Sequence, residues 1–228
     1  MSQASAPPMI AQMFNRIHAR YDHLNRVLSL GLDATWRRRA VRESGLGPGD
    51  SVVDLCCGTG DLSAELARCV GPRGRVVGVD FAELMLQQAR LKLPQLEFIQ
   101  ADVLQVPLPG GFDAVTIAFG PRNIPDLPGL WREVRRLLRP GGRLVSLELT
   151  RPRGLLGWLH ALYLRWVLPV LGALLAGDGP AYRYLSKTVA AFLDREALSQ
   201  TLREAGFCQV ESIPLSGGIV TIHRAVAP

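Results

Sequence analysis

Hydrophobic and polar positions follow two different periods along the middle of the chain. Short apolar runs typical of buried strands alternate with segments in which apolar residues recur every three or four positions, as on one face of a helix. Strands and helices that alternate in this way form a parallel sheet covered by helices. The predicted strands cover residues 51–56, 75–79, 97–100, 112–118 and 143–149, and the predicted helices between them cover residues 61–69, 82–92 and 127–138.

The two ends of the chain depart from this repeat. Residues 9–45 are predicted to form a cap of two or three arginine-rich helices, and residues 154–190 a helical insertion that faces the substrate or a membrane. A helix near 195–205 precedes two strands, near 209–214 and 219–224, which we expect to close the sheet as an antiparallel hairpin. The sequence therefore predicts one α/β domain, residues 1–228, with a mostly parallel seven-stranded sheet and helices on both faces.

Composition and charge narrow the class of protein only a little. The chain is 48% hydrophobic and 20% charged, as globular proteins are. Its net charge of +6 favours nucleic acid or anionic lipid as a partner, or only solubility. Residues 1–8 lack the basic start and apolar run of an export signal, and the four cysteines have no metal-ligand spacing. We therefore expect a cytoplasmic protein with buried or half-buried thiols and with neither metal nor disulfide.

The sequence VDLCCGTGDL, residues 53–62, is the strongest local motif. Asp54 lies near the end of the first strand, and Gly58, Thr59 and Gly60 lead from it into a helix. Glycines let the backbone approach a ligand closely, and the start of a helix offers free backbone N–H groups. Nicotinamide and flavin enzymes use a related turn but place a third glycine where this chain has Ser63. We therefore expect a ligand that places no phosphate at this turn.

Acidic residues at the ends of the next two strands indicate which ligand this is. Asp80 ends the second strand, where a carboxylate can accept hydrogen bonds from both hydroxyls of a ribose. Asp102, followed by Val103, comes after the third strand, where it can accept from an adenine amino group. Each aspartate alone could be a turn or N-cap residue. Together with Asp54 they predict S-adenosylmethionine, bound by a Rossmann-like class I methyltransferase.

From Met13 onward the chain resembles the ubiquinone/menaquinone biosynthesis C-methyltransferase family. The matching segments are MFNRIHARYDHLNRVLSLGLDATWRR, DLCCGTGDL, FGPRN, LLRPGGRL, YRYLSKTV and GGIVTIHRA. Within that family, DLCCGTGDL and LSLGL are most similar to the branch that methylates demethylphylloquinone (2-phytyl-1,4-naphthoquinone) or demethylmenaquinone. The resemblance implies carbon methylation of a prenylated naphthoquinol, with a benzoquinol of ubiquinone biosynthesis as the alternative.

This reaction suggests roles for the residues of two matching motifs. A quinol ring becomes nucleophilic at carbon when a hydroxyl loses its proton, so the enzyme must stabilise a phenolate or relay that proton. Arg122 of FGPRN is predicted to stabilise the phenolate or polarise a water, and Asn123 to hold that water or the other quinol oxygen. Tyr21, with its neighbour Asp22, is predicted to close the pocket over the cofactor. The alternatives are a structural ion pair between Arg122 and Asp126 and a packing role for Tyr21.

Two positions depart from the family pattern, and the histidines add little. Pro121 stands where the family often has Leu, so that backbone N–H is missing, and Ala118 stands where a Ser often contacts the cofactor. The four histidines have no metal spacing, and only His23, near Tyr21, is a candidate base.

Three other classes of protein fit parts of the pattern. An NAD-dependent oxidoreductase would use the same turn but would have its third glycine. A nucleic-acid methyltransferase would explain the charge, but FGPRN replaces the Asn/Asp-Pro-Pro or Pro-Cys element expected after the fourth strand. A non-catalytic binding module would not need all three aspartates. We therefore expect a small-molecule substrate and no nucleic-acid partner.

Residues 154–176 form the most hydrophobic stretch of the chain and are almost long enough to cross a bilayer. Arg165 at its centre, His160 and Pro169 oppose spanning. We expect peripheral contact with an anionic membrane, on its inner face, unless the segment is a lid or a dimer contact. The oligomeric state stays open, with a homodimer as one alternative. The side chains predicted to face lipid or the prenyl tail are Trp158, Leu162 and Trp166, aided by the arginine-rich N-terminal helices.

Overall fold

A single seven-stranded sheet organises the computed structural model, which describes residues 8–18, 21–152, 154–168, 170 and 179–228. The strand order is β3-β2-β1-β4-β5-β7-β6. The first five strands pair in parallel, and β7 lies antiparallel between β5 and β6. The predicted sheet is therefore confirmed. Its strands are β1 (Ser51–Leu55), β2 (Arg75–Asp80), β3 (Glu97–Gln100), β4 (Phe112–Ala118), β5 (Leu138–Leu149), β6 (Cys208–Leu215) and β7 (Val220–Val226).

Helices cover both faces of this sheet because successive strand residues point to opposite sides. On one side, Val53 and Val115 pack with Trp131 of α6. On the other side, Val52 packs with Leu66 of α4. The helices are α1 (Pro8–Ile17), α2 (Tyr21–Leu28), α3 (Leu32–Ser44), α4 (Asp61–Val70), α5 (Glu83–Lys92), α6 (Leu127–Leu137), α7 (Gly154–Leu162), α8 (Gly179–Ala191) and α9 (Arg195–Glu204).

The boundary between α6 and β5 differs from the prediction. The predicted helix ended at residue 138 and the predicted strand began at residue 143, but β5 begins at Leu138. Leu138 pairs with Phe112 of β4, and the register shifts before Ala114. A proline, which has no N–H to donate, is tolerated at such an irregularity. Pairing between strands, which local sequence does not encode, thus lengthens β5.

One cysteine also departs from the prediction. Cys57 is buried and Cys56 and Cys69 are half-buried, as expected, but Cys208 is exposed. Cys208 begins β6, which is the edge strand of the sheet. The first residue of an edge strand has no neighbouring strand to cover it on one side, so its side chain meets solvent.

The N-terminal helices and the region around α7 lie together beside the sheet. Met13 of α1, Leu24 of α2 and Leu168 form a small apolar cluster against which Tyr184 and Leu185 of α8 pack. A π-helical turn, Tyr163–Val167, continues α7. Residues 171–176 of the predicted hydrophobic stretch, and Pro169, lie outside the described residues. Among those that are described, no helix is both long and apolar enough to cross a membrane.

Candidate active site

Two cavities meet at the carboxyl edge of the sheet. The strand order reverses between β1 and β4, and open parallel sheets bind their ligands at such a switch point. The smaller cavity lies directly over these strand ends, and the larger one lies beside it, under α2 and α7. Tyr21 and Phe119 line both cavities and therefore form the wall that they share.

The glycine turn after β1 forms the floor of the smaller cavity. Cys56 and Gly58 line this cavity, and both have left-handed backbone, each with a φ of 54°. Left-handed backbone is rare for a residue with a side chain and clusters at functional sites. Gly60, with a φ of 83°, caps the start of α4. The left-handed backbone of this turn therefore forms part of the surface of the cavity.

Asp54 supports this turn from beneath. It is 1% exposed and does not line the cavity. Its carboxylate accepts hydrogen bonds from the Ser63 hydroxyl at 2.6 Å and from the Thr116 hydroxyl at 2.8 Å. Burial raises the pKa of Asp54 to about 6, and those two hydroxyls oppose the rise. Asp54, which was predicted to belong to the cofactor site, thus lies below the turn. Ser63, which occupies the position of the missing third glycine, is one of its hydrogen-bond donors.

Asp80 faces the smaller cavity and is almost fully buried. One carboxylate oxygen accepts from the Gly58 N–H at 2.8 Å and the other from the Ala82 N–H at 2.9 Å. Burial raises the pKa of Asp80, while these backbone donors lower it. Phe81 is a third backbone donor to this carboxylate, which has about four acceptor sites, so capacity is left to accept from a ligand.

Asp102 and Val103 line the same cavity at the end of β3. Asp102 is half-buried, and one of its oxygens accepts from the Leu104 N–H at 2.9 Å. The other predicted cofactor residues, Thr59 and Gly60, do not line the cavity. The residues that do line it fit S-adenosylmethionine, because two carboxylates with free acceptor sites face a largely apolar space closed by Tyr21.

Thr59 ties the N-terminal helices to the glycine turn. Its hydroxyl donates a hydrogen bond to Asp22 of α2. Lys92 of α5 forms ion pairs with Asp22 and with Asp61 at the start of α4. These contacts hold α2 against the glycine turn and α5, and Lys92 was not among the residues predicted from the sequence.

The larger cavity is apolar and has a volume of about 520 Å³. That size lies within the roughly 300–1,000 Å³ usual for small-molecule sites. Most of its exposed lining surface is apolar, which suits a ligand that is largely hydrocarbon. Its apolar lining residues include Val27, Leu28, Leu30, Leu32, Leu149, Leu159, Leu164, Leu168, Leu185 and Ile219, and its polar ones Asn25, Ser29, Asp33, Arg37, Arg122, His160 and Tyr163.

Arg122 reaches this cavity from a short 3-10 turn after β4 and is held by Glu148 of β5. Its Nη1 donates to Glu148 Oε1 and to the Phe119 carbonyl, both at 2.6 Å, and its backbone N–H donates to Glu148 Oε2 at 3.2 Å. Glu148 is fully buried. Asp126, the partner considered from the sequence, instead caps α6 by accepting from the Gly129 N–H at 2.8 Å.

The remaining residues in and beside the FGPRN turn are Pro121, Asn123 and Ala118. Pro121 occupies the first position of the turn, where a helix needs no N–H, so its missing donor does not disturb the backbone. Asn123 lines the smaller cavity, and its side-chain oxygen accepts from the Tyr184 hydroxyl at 3.1 Å. Ala118 also lines the smaller cavity, so no hydroxyl contacts a ligand from that position.

Two of the histidines, His23 and His160, differ in their exposure to solvent. His23 is exposed on α2 and lines neither cavity. His160 of α7, for which no catalytic role was predicted, is 8% exposed and lines the larger cavity. A polar residue inside an apolar helix was the available signal. Among the described residues, no group of three or more His, Cys, Asp or Glu side chains could hold a metal ion.

Comparison with known proteins places the chain in a family. The model of the ubiE/COQ5 methyltransferase family matches residues 2–227. The ubiquinone/menaquinone biosynthesis C-methyltransferase UbiE of Hahella chejuensis is 38% identical over 225 residues, which is 95% of this chain and 90% of the relative. Its counterpart in Ectopseudomonas mendocina is 39% identical over 227 residues, 96% and 89% of the two chains.

Solved structures agree in fold. An S-adenosylmethionine-dependent methyltransferase of Thermotoga maritima matches with a TM-score of 0.69 and 19% identity, over 95% of this chain and 99% of that one. Phosphoethanolamine N-methyltransferase 2 of Haemonchus contortus, in complex with S-adenosyl-L-methionine, matches with a TM-score of 0.60 and 16% identity, over 82% and 50%. The chain therefore belongs to the ubiE/COQ5 methyltransferase family and is an S-adenosylmethionine-dependent C-methyltransferase with the class I fold.

Proposed function

We propose that the protein methylates a ring carbon of a prenylated demethylnaphthoquinol, demethylphylloquinol or demethylmenaquinol, in phylloquinone or menaquinone biosynthesis. The observation that carries this proposal is the meeting of a polar-edged cavity with a large apolar one at Tyr21 and Phe119, with Arg122 on the apolar side. The relatives' names cover both menaquinone and ubiquinone. A benzoquinol of ubiquinone biosynthesis is therefore the alternative substrate.

S-adenosylmethionine belongs in the smaller cavity in this proposal. Asp80 accepts hydrogen bonds from the two ribose hydroxyls, Asp102 accepts from the adenine amino group, and Val103 packs on the base. Gly58 lets the backbone approach the ligand. Asp54, Thr59 and Gly60 act on the cofactor through the shape of the turn. This placement directs the sulfonium methyl toward the wall shared with the larger cavity.

The quinol ring meets that methyl group beside Arg122. Negative charge develops on the ring oxygen as its proton leaves, and that charge passes into the ring as the bond from the ring carbon to the methyl forms and the carbon–sulfur bond breaks. A fixed guanidinium in a low-dielectric cavity stabilises that oxygen. Nη1 of Arg122 already donates a hydrogen bond to Glu148. No described residue accepts a hydrogen bond from Nε or Nη2 of Arg122. Nε and Nη2 are therefore the donors available to the substrate. The Arg122 side chain must move slightly for Nε to be reached, because that nitrogen is buried.

Tyr21 and Asn123 hold the two reactants together. Burial raises the pKa of Tyr21, so its hydroxyl stays protonated and serves as a hydrogen-bond donor. The Asn123 side-chain oxygen already accepts from Tyr184 at 3.1 Å, which leaves its amide N–H groups for a water or for the second quinol oxygen. We propose that these residues orient the ring and that Arg122 supplies the charge.

We also propose that the enzyme contacts the membrane peripherally, from the cytoplasm. A set of exposed apolar side chains, called the apolar surface below, comes from the N-terminal helical region and from α7 and the residues that follow it. Four of its members, Val27, Leu30, Leu32 and Leu159, line the cavity as well. A prenyl tail could therefore pass from lipid into the cavity without crossing water. The surface consists of Val27, Leu30, Leu32, Leu155, Trp158, Leu159, Leu162, Trp166, Val167 and Val170.

Two segments outside the repeating strand–helix pattern would then have functional roles. Within one domain, residues 9–45 form the cap over the cofactor, and residues 154–190 form the insertion that faces substrate and membrane. The exposed Arg165, whose guanidinium lies 5.4 Å from the centre of the Trp166 ring, supplies positive charge beside the apolar surface. Basic residues next to an inserted apolar surface favour anionic lipid.

The substrate proposal predicts preferential methylation of a naphthoquinol. Purified enzyme with S-adenosylmethionine is offered chemically reduced demethylmenaquinol and, separately, a reduced demethyl benzoquinol with the same prenyl tail. We expect the larger kcat/KM for the naphthoquinol. A larger value for the benzoquinol would select the alternative, and turnover of neither quinol would contradict both.

Two substitutions should separate cofactor binding from chemistry. Asp80→Ala removes hydrogen bonds to the ribose and should weaken S-adenosylmethionine binding about tenfold or more. Arg122→Ala should lower that affinity much less than Asp80→Ala does but slow single-turnover methyl transfer by about a hundredfold or more, because a charge that acts on the transition state is lost. Arg122→Lys should restore little, since a point charge does not replace a planar fork.

The control for this pair is Arg132→Ala, which removes an exposed arginine of α6 that lines neither cavity. Calorimetry measures the affinities and rapid quenching measures the single-turnover rates. Normal transfer by Arg122→Ala would exclude the assigned charge, and normal affinity in Asp80→Ala would exclude the assigned ribose contact.

The membrane proposal predicts salt-sensitive flotation with anionic liposomes. Wild-type protein should float with them, less so in high salt, and Trp158→Ala/Trp166→Ala should float less at every salt concentration. Leu91→Ala is the control, because Leu91 is 76% exposed but lies on α5, away from the apolar surface. Equal flotation of all three proteins, or flotation of none, would overturn the proposal.

A further inference from the structure

An unpaired histidine lies inside the larger cavity. His160 is buried on α7 and has no hydrogen-bond partner among the described residues. The residue lines the larger cavity together with Tyr21 and Arg122. A neutral imidazole can accept a proton at one nitrogen. Arg122 already carries its proton, so the quinol hydroxyl needs another group to accept the proton that it loses.

The other titratable groups in this cavity are already engaged or cannot accept the proton. Arg37 of α3 is paired with Asp33, and Arg122 is paired with Glu148. Tyr21 and Tyr163 are phenols whose pKa burial raises, so both stay protonated near neutral pH. Of the described residues that line the cavity, His160 alone is a base that breaks no ion pair when it accepts a proton.

We propose that His160 is the catalytic base that accepts the proton of the reacting quinol hydroxyl, an inference that rests on the proposed function. The ring carbon attacks the methyl group of S-adenosylmethionine, a carbon–carbon bond forms, and the carbon–sulfur bond breaks with its electron pair left on sulfur. The hydroxyl proton passes to a ring nitrogen of His160. The ring-carbon proton then leaves to solvent and His160 returns its proton to the oxygen, which restores the aromatic quinol and the neutral imidazole.

The charge balance of this step suits a cavity of low dielectric. The positive charge lost from the sulfonium reappears on the imidazolium, so the net charge of the site does not change. A weak base is sufficient, because the hydroxyl becomes far more acidic as the ring carbon gives its electrons to the methyl group. Burial alone lowers the pKa of His160, and no neighbouring charge contributes. The imidazole is therefore neutral, and ready to accept, at physiological pH.

The pH dependence of single-turnover methyl transfer tests the proposal. Only neutral His160 accepts a proton, so the wild-type rate should fall with acid through an apparent pKa below about 6.5. His160→Gln should lower the rate at neutral pH by about a hundredfold or more and remove that acid limb. S-adenosylmethionine affinity, measured by calorimetry, should be unchanged, because His160 does not line the smaller cavity.

The matched control is His23→Gln, which alters the exposed histidine beside the same cofactor motif and should keep both the rate and the acid limb. Both variants are assayed with whichever quinol the wild type methylates, so inactivity of the wild type tests the proposed function and not His160. An acid limb that persists in His160→Gln, or a wild-type profile that has none, would overturn the assignment. If His160→Gln does not fold, His160→Asn takes its place, because the raised pKa of Asp54, about 6, could by itself give the wild type an acid limb.

Discussion

The buried ion pair of Arg122 and Glu148 fixes the edge of the sheet on which the proposed chemistry depends. Charges taken out of water are costly unless hydrogen bonds satisfy them. Here the Phe119 carbonyl and the backbone N–H groups of Arg122 and Leu149 complete the pair, so β4, its turn and β5 are joined at one point. Removing one partner of such a pair costs about 3–5 kcal/mol, because the other charge is left buried alone.

This pair also determines where the two cavities meet. Phe119 has a left-handed backbone, with a φ of 57°, and its carbonyl is held by Arg122 at 2.6 Å. That conformation places Phe119 in the shared wall, opposite Tyr21 of α2. The Asp22–Thr59 hydrogen bond holds α2 in position from the other side. The geometry of methyl transfer would thus depend on one buried ion pair and one hydrogen bond to the glycine turn.

Much of the fold could be predicted from sequence because it is encoded locally. The change between a period of two and a period near 3.6 defined the strands and helices, and the acidic residues at the ends of β2 and β3 lie on one cavity. What the sequence missed depends on pairing between distant segments. Glu148 is a single acid in an apolar strand, and its partner is known only when β5 lies beside β4. The start of β5 at Leu138 has the same cause.

His160 and Asp54 show what sequence alone cannot predict about a single side chain. Both positions could be read from sequence, but whether each faces a cavity, the core or solvent depends on how α7 and the glycine turn pack. Asp54 lies under the turn and His160 inside the larger cavity, whereas His23, in the more specific motif, is exposed. A motif therefore predicted which segment matters better than it predicted which side chain acts.

The most direct test of Arg122 is an equilibrium measurement on an oxyanion. A naphthol that already carries methyl at the reacting carbon cannot be methylated again, so its ionisation can be followed by absorbance while it is bound with S-adenosylhomocysteine. If Arg122 stabilises the oxyanion, the pKa of the bound naphthol should be lower in the wild type than in Arg122→Ala by about one unit or more, equivalent to about 1.4 kcal/mol. Equal pKa values in the two proteins would contradict an electrostatic role for Arg122.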